Sequence, residues 1–318
     1  MKIPAITSGI AAYTSQPTDP DGRPFVQAQP IDKGWSGDQK FCATAADGTK
    51  YLLRITPHER SESREDMFRM QETAAALDIP MCRPVKFGAC GDGVYVLQTW
   101  IDGDDARDAL PEMPIAQQYA YGLAAGQILQ KIHAIPAPDD QPDWEARFNT
   151  KIDRKIARYG ECPLKYQNDK PILAYIEANR HLLRGRPQCF QHGDYHIGNM
   201  MIDRDGTLQI IDFDRYDFGD PWEEFNRIVW DAQEAPAFAA GRVDGYFDGQ
   251  VPDEFWSLLA LYIASNTLSS LPWAIPFGQR EIDTMRRQAA EMLAWYDDMK
   301  QTVPTWYIQA KKQLQKET

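Results

Sequence analysis

Apolar positions recur at short intervals in the first third of the chain. Between residues 25 and 56, brief apolar runs alternate with turn residues, and Asp47-Gly48 precedes the run Tyr51–Ile55 as a hairpin turn would. Residues 61–77 contain neither glycine nor proline and are rich in Glu, Arg, Met and Ala, which predicts a helix. Residues 94–103, VYVLQTWIDG, predict a further strand. A small antiparallel sheet with one helix is therefore expected up to residue 103.

Helical spacing of apolar residues begins near residue 104. Pro114 suits the first turn of a helix, and three- and four-residue spacing follows it at Ile115, Tyr119, Leu123, Gly126, Leu129 and Ile132. Further helices are predicted at about residues 144–159, 169–183, 221–231, 253–270 and 279–300. A hairpin interrupts them, with strands NMMID and LQIID joined by Arg204-Asp205-Gly206.

These patterns predict an α+β fold with two lobes, as the length of 318 residues also favours. Residues 1–24 are expected to be a lead-in, because 14–24 (TSQPTDPDGRP) are polar and rich in proline. Residues 25–103 would form a small antiparallel β lobe with one helix, and residues 104–318 a larger, mainly helical lobe.

The charge and cysteine content narrow the class of protein. The 46 acidic and 34 basic residues give a net charge of −12, which disfavours nucleic acid and anionic membranes as partners. Five cysteines without a C-x-x-C pair, and an N-terminus unlike a signal peptide, favour a reducing cytoplasm. The most apolar stretch, residues 258–275, is interrupted by Ser, Asn and Pro, which argues against a membrane span.

Three polar residues stand at strand and loop ends in the second half of the chain. Asp194 and Asn199 are five apart in HGDYHIGN, and Asp212 follows thirteen residues later at the end of the second hairpin strand. Phosphoryl transfer needs a carboxylate that accepts the proton of an alcohol, and an amide with a second carboxylate that hold Mg²⁺. The H-x-D-x-x-x-x-N spacing followed by D-F-x matches the catalytic pattern of kinases.

Two other interpretations of these residues are open. Asp194, Asn199 and Asp212 could only cap turns and a strand end, as Asp and Asn often do. A zinc pair of His192 and His196 is disfavoured, because such pairs need a helix and the flanking glycines predict a loop.

The motifs HGDYHIGN, IIDFDR and GDPWEEF resemble the aminoglycoside phosphotransferase family, the antibiotic-kinase branch of the protein-kinase-like fold, which also includes choline kinase. The resemblance covers the chain from about Gln29 to the last helices and implies a bilobal fold. It implies that Asp194 is the catalytic base and that Asn199 and Asp212 are the Mg²⁺ ligands. Asp220 and Glu224 would anchor the catalytic loop, although the family often has Asp at the latter position.

The same resemblance implies a nucleotide site in the small lobe. KGWSGDQKF, residues 33–41, would be the turn that covers the nucleotide, with Ser36 donating to a phosphate. The strand lysine of kinases is replaced by Arg54, which keeps the charge and offers two donors to phosphate. Glu65 would be its helix partner, and backbone groups of Thr99 and Ile101 would meet the purine of ATP, or of GTP in its place.

Residues 203–254 hold 14 acidic residues against four arginines, so most of the net charge lies in this segment. A polycationic acceptor would suit that charge, and the carboxylates expected to hold it are Asp217, Glu223, Asp231 and Glu234. The leading hypothesis is thus an ATP-dependent kinase of an aminoglycoside or aminated sugar, with antibiotic resistance as its consequence. The alternatives are a housekeeping kinase of choline, an aminosugar or a macrolide-type substrate, and a nucleotide-binding pseudokinase, which the replacement at Arg54 motivates.

Overall fold

The computed structural model describes residues 16–32, 37–91 and 93–317. The chain divides into two compact units. The first comprises the residues up to Asp104 together with Met201–Asp214, and the second comprises Asp105–Met200 and Arg215–Thr318. The segment that carries Asp212 therefore belongs to the first unit, although the sequence pattern placed it in the helical lobe.

The first unit is built on a five-stranded antiparallel sheet. Its strands are β1 (Gln27–Pro30), β2 (Gln39–Thr44), β3 (Lys50–Pro57), β4 (Pro84–Cys90) and β5 (Gly93–Thr99), in the order β1-β2-β3-β5-β4. The helix α1 (Ser61–Ala75) lies between β3 and β4 in the chain and packs on the sheet. The predicted antiparallel sheet with one helix is thereby confirmed.

Alternation along the strands gives this sheet two different buried faces. One face carries the apolar core, in which Leu53 and Leu97 are completely buried beside Phe41 and Tyr95. The other face carries polar side chains at alternate positions, and Gln98 donates to Gln71 of α1 at 2.9 Å. The helix therefore covers a polar surface of the sheet, where buried charged groups find partners.

Residues 16–24 are part of the first unit rather than a detached lead-in. Thr18 forms a β-bridge with Pro24, and the ammonium group of Lys86 donates to Thr18 Oγ1 and to the carbonyl of Asp19, both at 2.9 Å. Hydrogen bonds from a single lysine thus attach residues 16–24 to the sheet. Because this segment has no periodic apolar pattern, the sequence did not reveal the attachment.

The remaining strands are short. They are β6 (Gly103–Asp105), β7 (Cys189–Gln191), β8 (Met200–Asp203), β9 (Leu208–Ile210) and β10 (Asp217–Gly219). The strands β8 and β9 are the two strands predicted around Arg204-Asp205-Gly206, and they form a sheet in the order β6-β8-β9. The strands β7 and β10 pair antiparallel, with Phe190 opposite Phe218.

The second unit is mainly helical. Its helices are α2 (Ala106–Ala109), α3 (Ile115–Ile132), α4 (Trp144–Glu161), α5 (Lys170–Asn179), α6 (Ile228–Glu234), α7 (Pro236–Tyr246), α8 (Asp253–Ala274), α9 (Gln279–Trp295) and α10 (Thr305–Glu317). The helix α7 was not predicted, because every one of its residues after Pro236 is buried and it has no polar face that would produce a periodic pattern. The helix α10 was not predicted either.

Among the described residues, one helical stretch is long and apolar enough to cross a membrane by length and composition. It runs from Asp253 to Phe277, and 67% of its most apolar window is buried inside the protein. Burial by other helices explains its apolar composition in the way usual for a core helix.

Glycines allow α3 and α7 to approach each other closely. Gly122 and Gly126 of α3 face Gly241 and Gly245 of α7 at matching four-residue spacings. A Cβ atom on Gly126 would lie 2.3 Å from the carbonyl oxygen of Arg242, which is backbone and cannot move aside alone. The contact therefore requires glycine, and it fixes the position of Arg242.

Substitution of Gly126 by alanine should lower the free energy of unfolding by about 1–3 kcal/mol, because the added methyl group forces α3 and α7 apart. Gly160→Ala is the matched control, since nothing lies within 4 Å of a Cβ atom there and α4 should gain a few tenths of a kcal/mol, up to about 1 kcal/mol. Urea unfolding of both variants checks the prediction. Equal stabilities for the two variants would contradict the close packing of α3 on α7.

Candidate active site

The loop that carries Asp194 begins directly after β7 with a turn that only glycine can form. Gly193 has φ of +82°, and a Cβ atom on it would lie 1.8 Å from the carbonyl oxygen of Arg215. Asp194 follows this turn, and a short 3-10 turn, Ile197–Asn199, leads into β8. Backbone geometry at one residue therefore sets the direction in which the following carboxylate points.

Glu224 holds this loop through its backbone. Its Oε1 and Oε2 atoms accept from the N–H of Gly193 at 3.0 and 3.2 Å, and Oε1 accepts from the N–H of Tyr195 at 3.4 Å. Burial raises the pKa of Glu224, but His133, whose Nε2 atom lies 3.9 Å from Oε2, together with His192 and the Gly193 N–H lowers it to about 2. Glu224 is thus ionised at neutral pH and ties two donors of the loop to one carboxylate.

Asp220 connects the end of β10 to three elements. Its carboxylate is completely buried, accepts from Arg186 at 2.7 and 3.0 Å, and accepts from the hydroxyl of Tyr262 at 2.6 Å. It also accepts from the N–H of Trp222 at 2.9 Å. This carboxylate has no room for a further partner, which agrees with a structural role.

Asp231 was expected among the acceptor-binding carboxylates, and the structure corrects this expectation. Its side chain is completely buried, with Oδ2 at 2.6 Å from Arg242 NH1 and Oδ1 accepting from the N–H of Ile197 at 2.7 Å. Both oxygens are occupied and no surface remains for a ligand. Asp231, which lies on α6, therefore holds the Asp194 loop at Ile197, whereas Glu224 holds it at Gly193 and Tyr195.

Asp194 lies in a predominantly basic surrounding within the second unit. Its Oδ1 atom is 2.7 Å from Arg227 Nε and 3.5 Å from His196 Nε2, and its Oδ2 atom is 3.7 Å from Arg215 NH1. Burial raises its pKa, but the positive charges, that of Arg227 first among them, lower the pKa below the usual value. The carboxylate is therefore ionised, and 13% of the side chain remains exposed.

His196 contributes to this surrounding as a neutral ring. Burial lowers its pKa to about 3, and its Nδ1 atom accepts from the N–H of Gly198 at 3.1 Å. Because Nδ1 accepts, the proton of the neutral imidazole lies on Nε2, the atom nearest Asp194. The ring therefore offers a hydrogen-bond donor to the carboxylate and no formal charge.

Asn199 is fixed by its amide nitrogen. Nδ2 donates to the backbone carbonyl of Asp194 at 2.9 Å, so the position of the amide group depends on the loop itself. With the nitrogen engaged, the amide oxygen is the end of the side chain that can serve as a ligand.

In the first unit, Arg54 is the centre of a buried ionic cluster. Only 4% of its side chain is exposed, and it pairs with Asp38 at 3.6 Å, with Asp212 at 3.2 Å and with Asp214. Burial opposes its charge, but these three carboxylates raise its pKa above the ordinary value. Arg54 is therefore a buried member of an ionic cluster and not a solvated strand residue.

The expected pairing of Arg54 with Glu65 is also wrong in this structure. Glu65 accepts from Arg69 at 2.7 Å on the exposed side of α1. The preceding residue, Arg64, is the one that α1 directs inwards, where it contacts Asp38 and lies 3.0 Å from Asp214. Successive residues of a helix are rotated by about 100°, so Arg64 and its neighbour Glu65 lie on different faces of α1.

Asp212 stands apart from the other acidic members of this cluster because it is accessible. Its side chain is 38% exposed, and its φ of +67° places it in the left-handed region that Asp tolerates. Arg54 NH1 holds Oδ1 at 3.2 Å, which orients the carboxylate without enclosing it.

The remaining nucleotide-binding expectations have different outcomes. Ser36 lies outside the described residues. Thr99 uses its N–H for the carbonyl of Arg83 and its hydroxyl for the N–H of Arg83, so that backbone donor is not free for a purine. Thr99 and Ile101 line a cavity of about 450 Å³ in the first unit, together with Arg83 and the turn around Arg204.

Each of the other three proposed acceptor carboxylates has a basic partner. Asp217 lies 3.1 Å from Arg147, Glu223 lies 3.3 Å from Lys151, and Glu234 lies 2.8 Å from Arg107. These three carboxylates are therefore not free, because helices elsewhere in the second unit supply their counter-charges: Arg107 from α2, and Arg147 and Lys151 from α4.

Several site residues escaped the sequence analysis. Asp214 is the second aspartate of Asp212-Phe213-Asp214, and its two-residue spacing was available as a sign that both carboxylates serve one site. Asp38, Arg64 and Arg227 carry no such sign, because their partners are 16 or more residues away.

The sequence and the fold both match those of phosphotransferases. Residues 27–256 match the model of the phosphotransferase enzyme family, and the chain belongs to this family. The predicted family and the enzyme class, a phosphotransferase, are thereby confirmed.

Solved structures with the same fold are distant in sequence. One is the aminoglycoside phosphotransferase APH(4)-Ia in a ternary complex with AMP-PNP and hygromycin B, with 15% identity, a TM-score of 0.63, and coverage of 85% of this chain and 94% of that one. Another is the amicoumacin kinase hAmiN, in complex with AMP-PNP and Ca²⁺, with 16% identity, a TM-score of 0.59, and coverage of 87% and 90%.

A curated relative is the glucosamine kinase of Streptacidiphilus jiangxiensis, which is 26% identical over 124 residues. That match spans 36% of this chain and 28% of the glucosamine kinase. It supports the family and leaves the acceptor of this chain to be proposed.

Substitution of Arg54 by methionine should lower the free energy of unfolding by ~3–5 kcal/mol, because Asp38 and Asp214 would keep buried charges without a counter-charge on β3. Arg69→Met, which removes an exposed pair with Glu65, should change it by less than ~0.5 kcal/mol. Urea titration of both variants measures the difference. Comparable losses in both would show that burial of the cluster carries no energetic weight.

The anchoring of the loop by Glu224 should depend on pH. Its depressed pKa stabilises the fold fully above the ordinary value of about 4.5, and this contribution is lost as the pH falls towards 2. The wild type should exceed Glu224→Gln in stability at pH 7 by an amount on the order of 2–4 kcal/mol, and the difference should shrink below pH 4.5. Thermal melts of both proteins against pH check this. Glu161→Gln, at an exposed position, should show no pH-dependent difference from the wild type.

Proposed function

We propose that this chain is a kinase that transfers the γ-phosphate of ATP to a hydroxyl group of a small molecule. The observation that carries the proposal is the ionised and partly exposed carboxylate of Asp194, on a loop that Gly193 and Glu224 hold in one conformation. A phosphotransferase needs such a carboxylate at the hydroxyl of its acceptor.

Asp194 is the catalytic base in this proposal. The hydroxyl of the acceptor donates to its carboxylate, and the carboxylate takes the proton as the oxygen bonds to phosphorus. Arg227 Nε lies 2.7 Å and His196 Nε2 3.5 Å from Oδ1, so that Oδ2, which is 3.7 Å from Arg215, is the more available oxygen for the acceptor. The low pKa keeps the base unprotonated, and the ion pair with Arg227 keeps it in position.

Asn199 and Asp212 are proposed to hold Mg²⁺. An amide oxygen and an accessible carboxylate are hard oxygen donors of the type that Mg²⁺ prefers, and in each residue the structure leaves such an oxygen exposed or unengaged. When bound, the ion would neutralise phosphate charge. The contribution of the chain is to orient the two ligands, by the carbonyl of Asp194 in one case and by Arg54 in the other.

Arg54 is proposed as a positioning residue for the nucleotide end of the site. Its guanidinium group is buried among carboxylates and reaches Asp212 directly, so its effect on the phosphates passes through that carboxylate. Ser36 and Ile101 remain proposed contacts of the nucleotide. Relatives solved with ADP or AMP-PNP support ATP as the donor.

Two classes of acceptor are candidates. An aminoglycoside or aminated sugar is supported by relatives named for hygromycin B, amicoumacin and glucosamine. A metabolite that is not cationic is the second candidate. It is supported by the pairing of Asp217, Glu223 and Glu234 in the second unit with basic side chains. Free carboxylates, the feature that would select a polycation, are thus missing at these described positions.

Replacement of Asp194 by asparagine should reduce phosphoryl transfer roughly 100- to 10,000-fold and leave nucleotide binding intact, because only the proton acceptor is removed. The measurement is ATP-dependent phosphorylation of a panel that contains aminoglycosides, macrolides, choline, aminosugars, sugars and sugar acids. Asp140→Asn, at an exposed position of the same unit, should behave as the wild type.

Transfer by Asp194→Asn at the rate of the wild type would remove the assigned base. Binding of ATP by the wild type without turnover of any acceptor, and without hydrolysis, would favour the pseudokinase instead.

A further inference from the structure

Three basic side chains gather between α4 and the segment that follows Glu224. They are Lys151 and Lys155, one turn apart on α4, and Arg227, and we refer to them as the α4 cation cluster. Arg227 connects the cluster to the proposed base, because its Nε atom is 2.7 Å from Asp194 Oδ1 and 26% of its side chain is exposed.

The two lysines of the cluster sit over the same aromatic ring. The ammonium groups of Lys151 and Lys155 lie 5.2 and 5.9 Å from the ring centroid of Phe148, which is buried. Lys151 also lies 3.3 Å from Glu223, whose other oxygen is 3.3 Å from the amide nitrogen of Gln191. Glu223 is thus shared among neighbours and balances one of the three positive charges.

Lys155 has few partners for an ammonium group with three donors. Its described hydrogen bond goes to Ser265 Oγ of α8 at 3.3 Å, and no ion pair within 4 Å is formed with a described carboxylate. Burial first, and then repulsion by Lys151, lowers the pKa of Lys155 to about 7, with Arg227 adding to the repulsion and Glu223 opposing it. A half-buried ammonium among like charges is stabilised by an anion.

We propose that the α4 cation cluster binds an anionic group of the acceptor, a carboxylate or a phosphate, so that the alcohol phosphorylated at Asp194 is an acidic one. The inference rests on the proposed function and assigns the substrate class of the same site. Lys155 supplies a charge that forms no ion pair within 4 Å with a described carboxylate, and Arg227, which repels that charge, pairs with Asp194.

A polycationic acceptor does not fit this arrangement. It would place ammonium groups beside Lys151, Lys155 and Arg227, and like charges at close range repel. The carboxylate next to the α4 cation cluster, that of Glu223, is already engaged by Lys151 and Gln191. An acidic alcohol, in contrast, can place its hydroxyl group at the carboxylate of Asp194 and its anionic group at the α4 cation cluster.

The test compares probes that differ mainly in charge. Glucosamine, glucose, gluconate and glucose 6-phosphate, and the smaller set serinol, glycerol, glycerate and glycerol phosphate, are measured by calorimetry and by phosphoryl transfer. Binding is measured with the nucleotide site saturated by AMP-PNP and Mg²⁺, so that the anions do not occupy that site. The wild type should bind the acids more tightly than the neutral and cationic members. Within each set, the acid that binds more tightly shows whether the site prefers a carboxylate or a phosphate.

Lys155→Met should weaken binding of the acids roughly 10- to 100-fold and leave the neutral alcohols unchanged, because one charged hydrogen bond is lost. Lys155→Arg should restore most of the affinity. Lys131→Met, at an exposed position on α3, is the matched control and should bind as the wild type. An equal loss for acids and neutral alcohols in Lys155→Met would indicate a structural role and overturn the proposal.

The proposal is also overturned if the wild type binds no acid of either set, or binds the cationic members more tightly. Phosphorylation of a cationic alcohol that depends on Asp194 would reject the charge assignment alone and leave the kinase function standing. Failure to bind AMP-PNP would instead reject the proposed function.

Discussion

The proposed active site depends on the attachment of one loop to the buried carboxylate of Glu224. This carboxylate accepts from the backbone N–H groups of Gly193 and Tyr195, on either side of Asp194. A carboxylate that is removed from water is stable only with several donors, and the same donors are what hold the loop. The position of Asp194, the proposed base, therefore follows from the need of a second acid, Glu224, for hydrogen-bond donors. Glu224 lies after β10, further along the chain.

Charge pairing within each unit distinguishes acids that build the protein from acids that remain available. Asp220 and Asp231 are completely buried and fully paired, whereas Asp194 and Asp212 keep part of their carboxylates exposed. In both exposed cases an arginine holds one oxygen, Arg227 for the first and Arg54 for the second. The net charge of −12 is therefore a poor guide to the acceptor, because basic side chains from distant helices pair with Asp217, Glu223 and Glu234.

The polar side of the five-stranded sheet explains why an arginine fits at residue 54, where the family resemblance predicts the kinase lysine. Arg54 and Arg64 together share Asp38 and Asp214, so that two guanidinium groups and two carboxylates balance within one buried cluster. The planar, forked guanidinium group contacts several carboxylates at once, which a single ammonium group does less well. A lysine at residue 54 would leave part of this cluster without donors.

The sequence by itself determined the fold class, because strand alternation and helical spacing are local properties of the chain. Asp194, Asn199 and Asp212 come from a local loop motif and stay a prediction for the site. The sequence did not determine α7, which is buried on every face and lacks a periodic pattern. The partner of Arg54 depended on which face of α1 turns inwards, and this separated Arg64 from the predicted Glu65. The counter-charges of Asp217, Glu223 and Glu234 come from helices 70 or more residues away, so only the tertiary structure could decide which charges remain unbalanced.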